Sequence, residues 1–297
     1  MFFLETMKNF WAYIAVILSM TFWAYSFIWS KSALGYYGPL TILSSRLIIA
    51  STVLFGFTKM IGKLNKIDKS DFKHILLLSF FEPFLYFIGE TYGLDRVSPT
   101  IAAVLIATIP LFLPFIAWYF FKEVITKYKI IGTILSFIGV ILVIINYDMQ
   151  LRADIWGVLF LLLAVFAAIG YTVVLKNLSH KYNSLTIVSW QSFIGLFGFL
   201  PLFFLLEINE TDSIGFIWDG IRPIIFLGIF GSIAAFVLFT HSIKILGVTR
   251  TGVFGNGIPV FTSLFSFFII GERLLGINYI GILIVVSGLF LSQFRAK

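Results

Sequence analysis

The sequence predicts an all-α integral membrane protein, with ten transmembrane helices arranged as two inverted five-helix repeats over residues 1–150 and 151–297. Three observations carry this expectation. Of the 297 residues, 60% are hydrophobic and 12% charged, with a mean hydropathy of +1.02. A soluble domain carries about 25% charged residues, so this chain lacks the polar surface to face water. Apolar segments of membrane-spanning length recur along the chain, and the second half repeats the first.

The ten segments lie near 10–30, 39–59, 73–93, 98–121, 128–146, 155–176, 184–206, 222–243, 248–270 and 276–294. At a rise of 1.5 Å per residue, about twenty residues cross about 30 Å of hydrocarbon. Backbone polar groups in lipid must pair within the segment, which makes these segments helices. No alternating ten-residue pattern supports a barrel. The first segment follows Lys8 as a signal peptide would, but no A-x-A site follows it and it has a counterpart later in the chain. Met1 and Met7 are both open as the start. The longest connections, KMIGKLNKIDKSDFK (59–73) and EINETDSIGFIWDG (207–220), are too short for a soluble domain.

Orientation follows from the basic residues. With the N-terminus inside, 15 of the 21 Lys and Arg fall in inner loops and ends, 5 fall outside, and Arg46 stays within a helix. The positive-inside rule then puts both termini in the cytoplasm of a multi-pass protein of the cell inner or plasma membrane. The net charge of +7 reads as this loop bias, not as nucleic-acid binding. The chain has no cysteine, and His74, His180 and His241 have no metal-ligand spacing, so no metal or cofactor is expected. Oligomeric state is not legible.

The repeat is visible in FFKEVITKYKIIGTILSFIGVIL (120–142) and IIGERLLGINYIGILIVVSGLFL (269–291). An offset of 149 pairs Glu123 with Glu272, Pro110 with Pro259, Gly132 with Gly281 and Gly139 with Gly288. Upstream the offset is 145, pairing LTI (40–42) with LTI (185–187), Arg46 with Gln191 and Lys31 with Lys176. Each unit holds five helices, an odd number, so the second enters the membrane inverted. Inverted repeats recur in secondary transporters, where a midplane site between the halves is exposed to each side in turn. A non-transporting scaffold and a membrane-embedded enzyme are the alternatives. No G-x-x-x-x-G-K-[ST], H-E-x-x-H or G-x-S-x-G motif supports an enzyme or an ATP-driven pump.

WAYSFIWSKSAL (23–34), LTILSSRLIIA (40–50), the segment from Ser98 through Pro110 to Glu123, and VTRTGVFGNGIPVFTSLFSFFIIGERL (248–274) resemble the EamA family of the drug/metabolite transporter superfamily. The resemblance implies ten helices, cytoplasmic termini and movement of small metabolites, often amino acids, mostly as export. The family's Gly-Glu pair stands as Gly271-Glu272, but as Lys122-Glu123 in the first half. Both glutamates sit at helix ends beside basic residues and read as structural anchors.

Charges within hydrocarbon are functional candidates. Arg46, Glu82 and Glu90 are three such charges, and Glu82, Tyr86 and Glu90 share one helix face at four-residue spacing. They can wall a cavity, or Arg46 can pair with a glutamate between helices. Pro83, Pro110 and Pro259 each remove a helical hydrogen bond near mid-helix, and GNGIP (255–259) adds an expected unwinding at Asn256. Trp23, Tyr25, Tyr171, Trp190 and Gln191 complete the candidate substrate-binding set. Aromatic rings beside acids suit an amine or zwitterion, with proton or cation coupling as an associated expectation. Gly247, Thr251 and Gly255, four apart, predict close helix packing. Trp11 and Trp156 sit where an interfacial belt would lie.

Overall fold

The computed structural model describes residues 2–109, 111–112, 127–144, 153–247, 251–252 and 254–292. Helices run over α1 (Phe2–Leu34), α2 (Pro39–Met60), α3 (Phe72–Arg96), α4 (Pro99–Ile106), α5 (Lys127–Ile144), α6 (Ile155–Lys181), α7 (Ser184–Leu206), α8 (Trp218–Leu246), α9 (Ile258–Ile269) and α10 (Gly276–Ser292). Among the described residues there is no strand, and seven helices are long and apolar enough to cross a membrane. The shorter apolar helices are Phe254–Ile269, which includes α9 and a 3₁₀ turn before it, and α10. Pro110, Lys122, Glu123 and Arg152 lie outside the described residues.

Local chemistry sets the helix starts. Pro39 opens α2, where its missing N–H is no loss. Asp154 caps α6 through Gly157 N–H at 3.0 Å, and Asn183 caps α7 through Thr186 N–H at 2.8 Å. The cap of α2 is remote. Leu40 and Thr41 N–H donate to the Glu207 carboxylate at 3.0 and 2.8 Å. Glu207, the first residue of the 207–220 connection, is therefore buried with its carboxyl group on a helix N-terminus. Residues Ile208–Ile214 form a short helix that ends at Gly215, whose φ of +70° suits glycine.

Equivalent positions of the two halves make equivalent contacts. Helices α5 and α10 cross antiparallel, with Gly132 against Gly288 and Gly139 against Gly281. A Cβ on Gly139 would stand 2.7 Å from the Gly281 carbonyl, so glycine permits this approach. Between them Ser136 Oγ donates to Val285 O at 3.1 Å, a contact between two residues that are themselves separated by the repeat offset of 149. Helix α3 packs on α6 and α8 packs on α1. Gly93 meets Gly157 in the first pair, and Ser242 Oγ donates to Ala12 O at 3.0 Å at the matched place in the second. At the helix ends, Asp68 N–H donates to the Tyr182 hydroxyl at 3.1 Å and Ile217 N–H donates to the Tyr37 hydroxyl at 2.9 Å. These two bonds also match at offsets 149 and 145.

Glu272, expected to anchor a helix end, accepts from Thr100 Oγ1 at 2.8 Å and ties the end of α9 to the start of α4. Trp11 and Trp156 are 60% and 61% exposed, as side chains at an interface would be. Of the close packing expected at Gly247, Thr251 and Gly255, Thr251 is fully buried, whereas no close contact forms at the two glycines among the described residues. Gly247 terminates α8 at φ +83°, and a Cβ on Gly252 or Gly255 meets nothing within 4 Å. Close glycine contacts lie instead between other helices, among them α5 with α10 and α3 with α6.

Candidate functional site

Four helices are interrupted at mid-span, in matched pairs. Helix α3 contains a π turn, Phe80–Leu85, in which Glu82 is extended (φ −148°, ψ 119°) beside Pro83. Helix α8 contains the π turn Leu227–Ala234 at the equivalent place. Helix α4 gives way to a turn at Ala107 and Thr108, and the 3₁₀ turn Phe254–Gly257 precedes α9. Breaks near Pro83 and Pro259 follow from the missing proline N–H. The break in α8 has no proline and was not foreseen, although the offset maps Glu82 onto Gly231 within it.

These interruptions surround a cavity of about 110 Å³. Its walls come from matched positions: Trp23 with Ala168, Phe27 with Thr172, Glu90 with Phe239, Ile106 with Gly255 and Ile109 with Ile258. Glu82, Tyr86, Tyr171, Met20, Ala107 and Gly252 complete the lining. Five residues expected from sequence therefore meet here: Trp23, Glu82, Tyr86, Glu90 and Tyr171. Phe27, Thr172 and Phe239 were missed. The signal for them was the repeat itself, since Phe239 is the counterpart of Glu90, and Phe27 and Thr172 are counterparts of each other.

Arg46 and Gln191 stand behind the wall. Arg46 is 2% exposed and reaches three ways from α2. Its NH1 lies 3.8 Å from Glu90 Oε2, its Nε donates to Ser232 Oγ at 2.9 Å, and its guanidinium lies 3.9 Å from the centre of the Phe87 ring. Gln191 Oε1 accepts from the Tyr171 hydroxyl at 3.3 Å. Glu90 accepts from the Tyr86 hydroxyl at 3.3 Å, completing a chain from Tyr86 through Glu90 to Arg46. Glu82 is 6% exposed and, among the described residues, receives no hydrogen bond.

Three further expected site residues, like Arg46 and Gln191, lie outside the lining. Tyr25 stacks on Trp29 and Phe265 at centroid distances of 5.4 and 4.0 Å. Trp190 packs on Phe55 and Phe193, and its Nε1 donates to Asn65 O at 3.3 Å near the helix end. Asn256 is buried in the 3₁₀ turn, and its side-chain amide has no partner among the described residues.

The arrangement is that of a multi-pass membrane protein with a small interior cavity walled by carboxylates and aromatic rings. The EamA-like transporter family matches residues 10–145 and again residues 155–294, and the chain belongs to that family. An uncharacterized transporter of Archaeoglobus fulgidus is 29% identical, over 92% of this chain and 98% of its own. An S-adenosylmethionine/S-adenosylhomocysteine transporter of Chlamydia trachomatis is 24% identical, over 88% of this chain and 82% of its own. A solved crystal structure shares the fold, with a TM-score of 0.68 at 13% identity, over 96% of this chain and 97% of that one.

Proposed function

We propose that this chain is a secondary transporter that carries a small amphiphilic metabolite, an amine or an amino-acid-like solute, across the cell membrane by alternating access. Its units are two inverted five-helix repeats, residues 1–150 and 151–297, giving ten spans with both termini cytoplasmic. The net direction is export. The single observation that carries this reading is the pairing of cavity-lining positions by the repeat offset. Such pairing puts the cavity on the axis relating the halves, where a rocking motion can turn it to either side. The antiparallel crossing of α5 and α10, with Ser136 against its own counterpart Val285, supports the same axis.

Trp23, Glu82, Tyr86, Glu90 and Tyr171 contact the solute, while Arg46 and Gln191 orient Glu90 and Tyr171 from behind. A cavity of about 110 Å³ favours a compact solute in this conformation, since drug-sized sites occupy about 300–1,000 Å³. S-adenosylmethionine belongs in the test panel because a relative carries it, but it requires a wider opening. The purified chain in sealed liposomes should accumulate at least one labelled amine, amino acid or S-adenosylmethionine, recovered chemically unchanged. Recovery of a chemically altered solute would instead support an enzyme. Binding without movement across the bilayer would sink the transport reading.

A further inference from the structure

We infer that Glu82 holds one exchangeable positive charge: a proton in the empty carrier and a small organic monocation in the loaded one. The two are then exchanged one for one. This rests on the transporter reading above and assigns its substrate class and coupling partner.

The argument is a charge count. Among the described residues, the interior cluster contains two carboxylates, Glu82 and Glu90, and one guanidinium, Arg46. Arg46 is committed to Glu90 and Ser232 and does not line the cavity. Glu90 is held in addition by Tyr86. Glu82 is left with one negative charge and no donor among the described residues. An ionised carboxylate buried without a partner is strongly disfavoured. Neutrality is restored by one proton or by one cation.

Every packed element agrees with this count. Helix α2 brings Arg46, α6 brings Tyr171 and α7 brings Gln191 behind it. Tyr86 and Glu90 lie on α3 itself. The matched turn of α8 brings Gly231 and Ser232, neither of them charged. Among the described residues the cavity lining holds no Lys, Arg or His, so they bring no cation to a solute carboxylate or phosphate. It does offer Trp23, Phe27, Tyr86, Tyr171 and Phe239, whose ring faces attract an ammonium. Proton and cation compete for one carboxylate and cannot occupy it together. A cycle that carries a monocation one way and a proton the other moves no net charge.

Tetramethylammonium and benzyltrimethylammonium are suitable probes, because neither carries a titratable proton of its own. Each should bind the purified full chain in weakly buffered detergent solution and release about one proton, read with an indicator dye. Binding should weaken as the pH falls, and leucine should release none. Glu82→Gln should lose both binding and release, whereas Glu82→Asp should keep release with an altered affinity. In liposomes, a pH gradient should drive uptake and a potassium–valinomycin potential should not.

Ammonium binding without proton release, absence of ammonium binding, or potential-driven uptake would each overturn the inference in the wild-type protein, whatever the variants do. Leucine transport without proton release would leave the transporter reading standing and overturn this one. Proton-releasing ammonium binding with no movement across liposomes would keep Glu82 as the site and overturn the transporter reading.

Discussion

The π turn of α3 holds Glu82, with Tyr171 and Gln191 of the opposite half nearby, whereas the matched turn of α8 holds Gly231, with Ser26 and Arg46 nearby. These residues correspond one to one through the repeat, Tyr171 to Ser26 and Gln191 to Arg46. A Cβ on Gly231 would lie 3.3 Å from Ser26 Cβ and 3.6 Å from Arg46 NH2. The backbone defect is therefore shared, and the chemistry is not. One copy carries an acid that faces a neutral tyrosine from the opposite half, while the other carries no acid and faces a base. Architecture in a duplicated chain recurs in both halves, so in the proposed reading the features found once are the ones tied to the solute. Arg46 is the side chain that joins the two regions, since it touches α3 through Glu90 and Phe87 and the α8 turn through Ser232.

Breaking that joint should have the largest effect. Arg46→Met leaves Glu90 buried without its cation, and loss of one partner of a buried pair costs about 3–5 kcal/mol. A large fall in thermal stability in detergent is expected, with substantial recovery in the double variant Arg46→Met, Glu90→Gln. Equal instability of the single and double variants would mean that Arg46 acts by packing alone.

A smaller effect separates the two turns themselves. A Cβ on Gly195 of α7 would stand 2.9 Å from Pro83 Cδ and closer still to Pro83 Cγ, against a stiff ring. The matched position on α2 is Ala50, which already carries that methyl group beside the proline-free turn. Gly195→Ala should therefore destabilise the α3 turn by about 1–3 kcal/mol, as overpacking does. An unchanged melting temperature would show that Pro83 does not seat against α7.

The smallest effect concerns the tyrosine clasps at the helix ends. Tyr182 donates to Asp71 Oδ2 at 2.9 Å, and Lys181 Nζ also reaches Asp71 at 2.9 Å. The matched Tyr37 donates to the uncharged Gly215 carbonyl at 2.9 Å. Hydrogen bonds from Lys181 and then Tyr182 hold the Asp71 carboxyl below its ordinary value. A lowered native value stabilises the fold above the unfolded value of about 3.9, and that contribution fades as pH falls through the native one. Asp71→Asn should melt slightly below wild type at pH 7, and the gap should narrow as the pH falls below the ordinary carboxylate range. The gap for Tyr37→Phe should stay level across the same range. A pH-independent gap for Asp71→Asn would remove the ionic difference between the clasps.

Much of this was legible in the chain. Segment positions came from hydropathy, because lipid demands long apolar helices whatever their neighbours are. Internal register came from the offsets, and those offsets later identified the paired lining positions. Glu82, Tyr86 and Glu90 were legible because charge in an apolar helix is conspicuous and four-residue spacing fixes a shared face. Trp190 and Tyr25 resembled Trp23 and Tyr171 in composition, and nothing local distinguished an aromatic that faces the cavity from one that stacks elsewhere.

Tertiary structure alone decided the remainder. It placed Glu207 on the start of α2, more than 160 residues away in sequence, because a helix N-terminus attracts an anion from any part of the chain that reaches it. It set a π turn in α8 one turn beyond Pro223, with no proline in the turn itself, at the place matched to the interruption of α3. It also assigned Arg46 to Glu90 rather than to Glu82, a choice of distance between helices that a sequence does not contain.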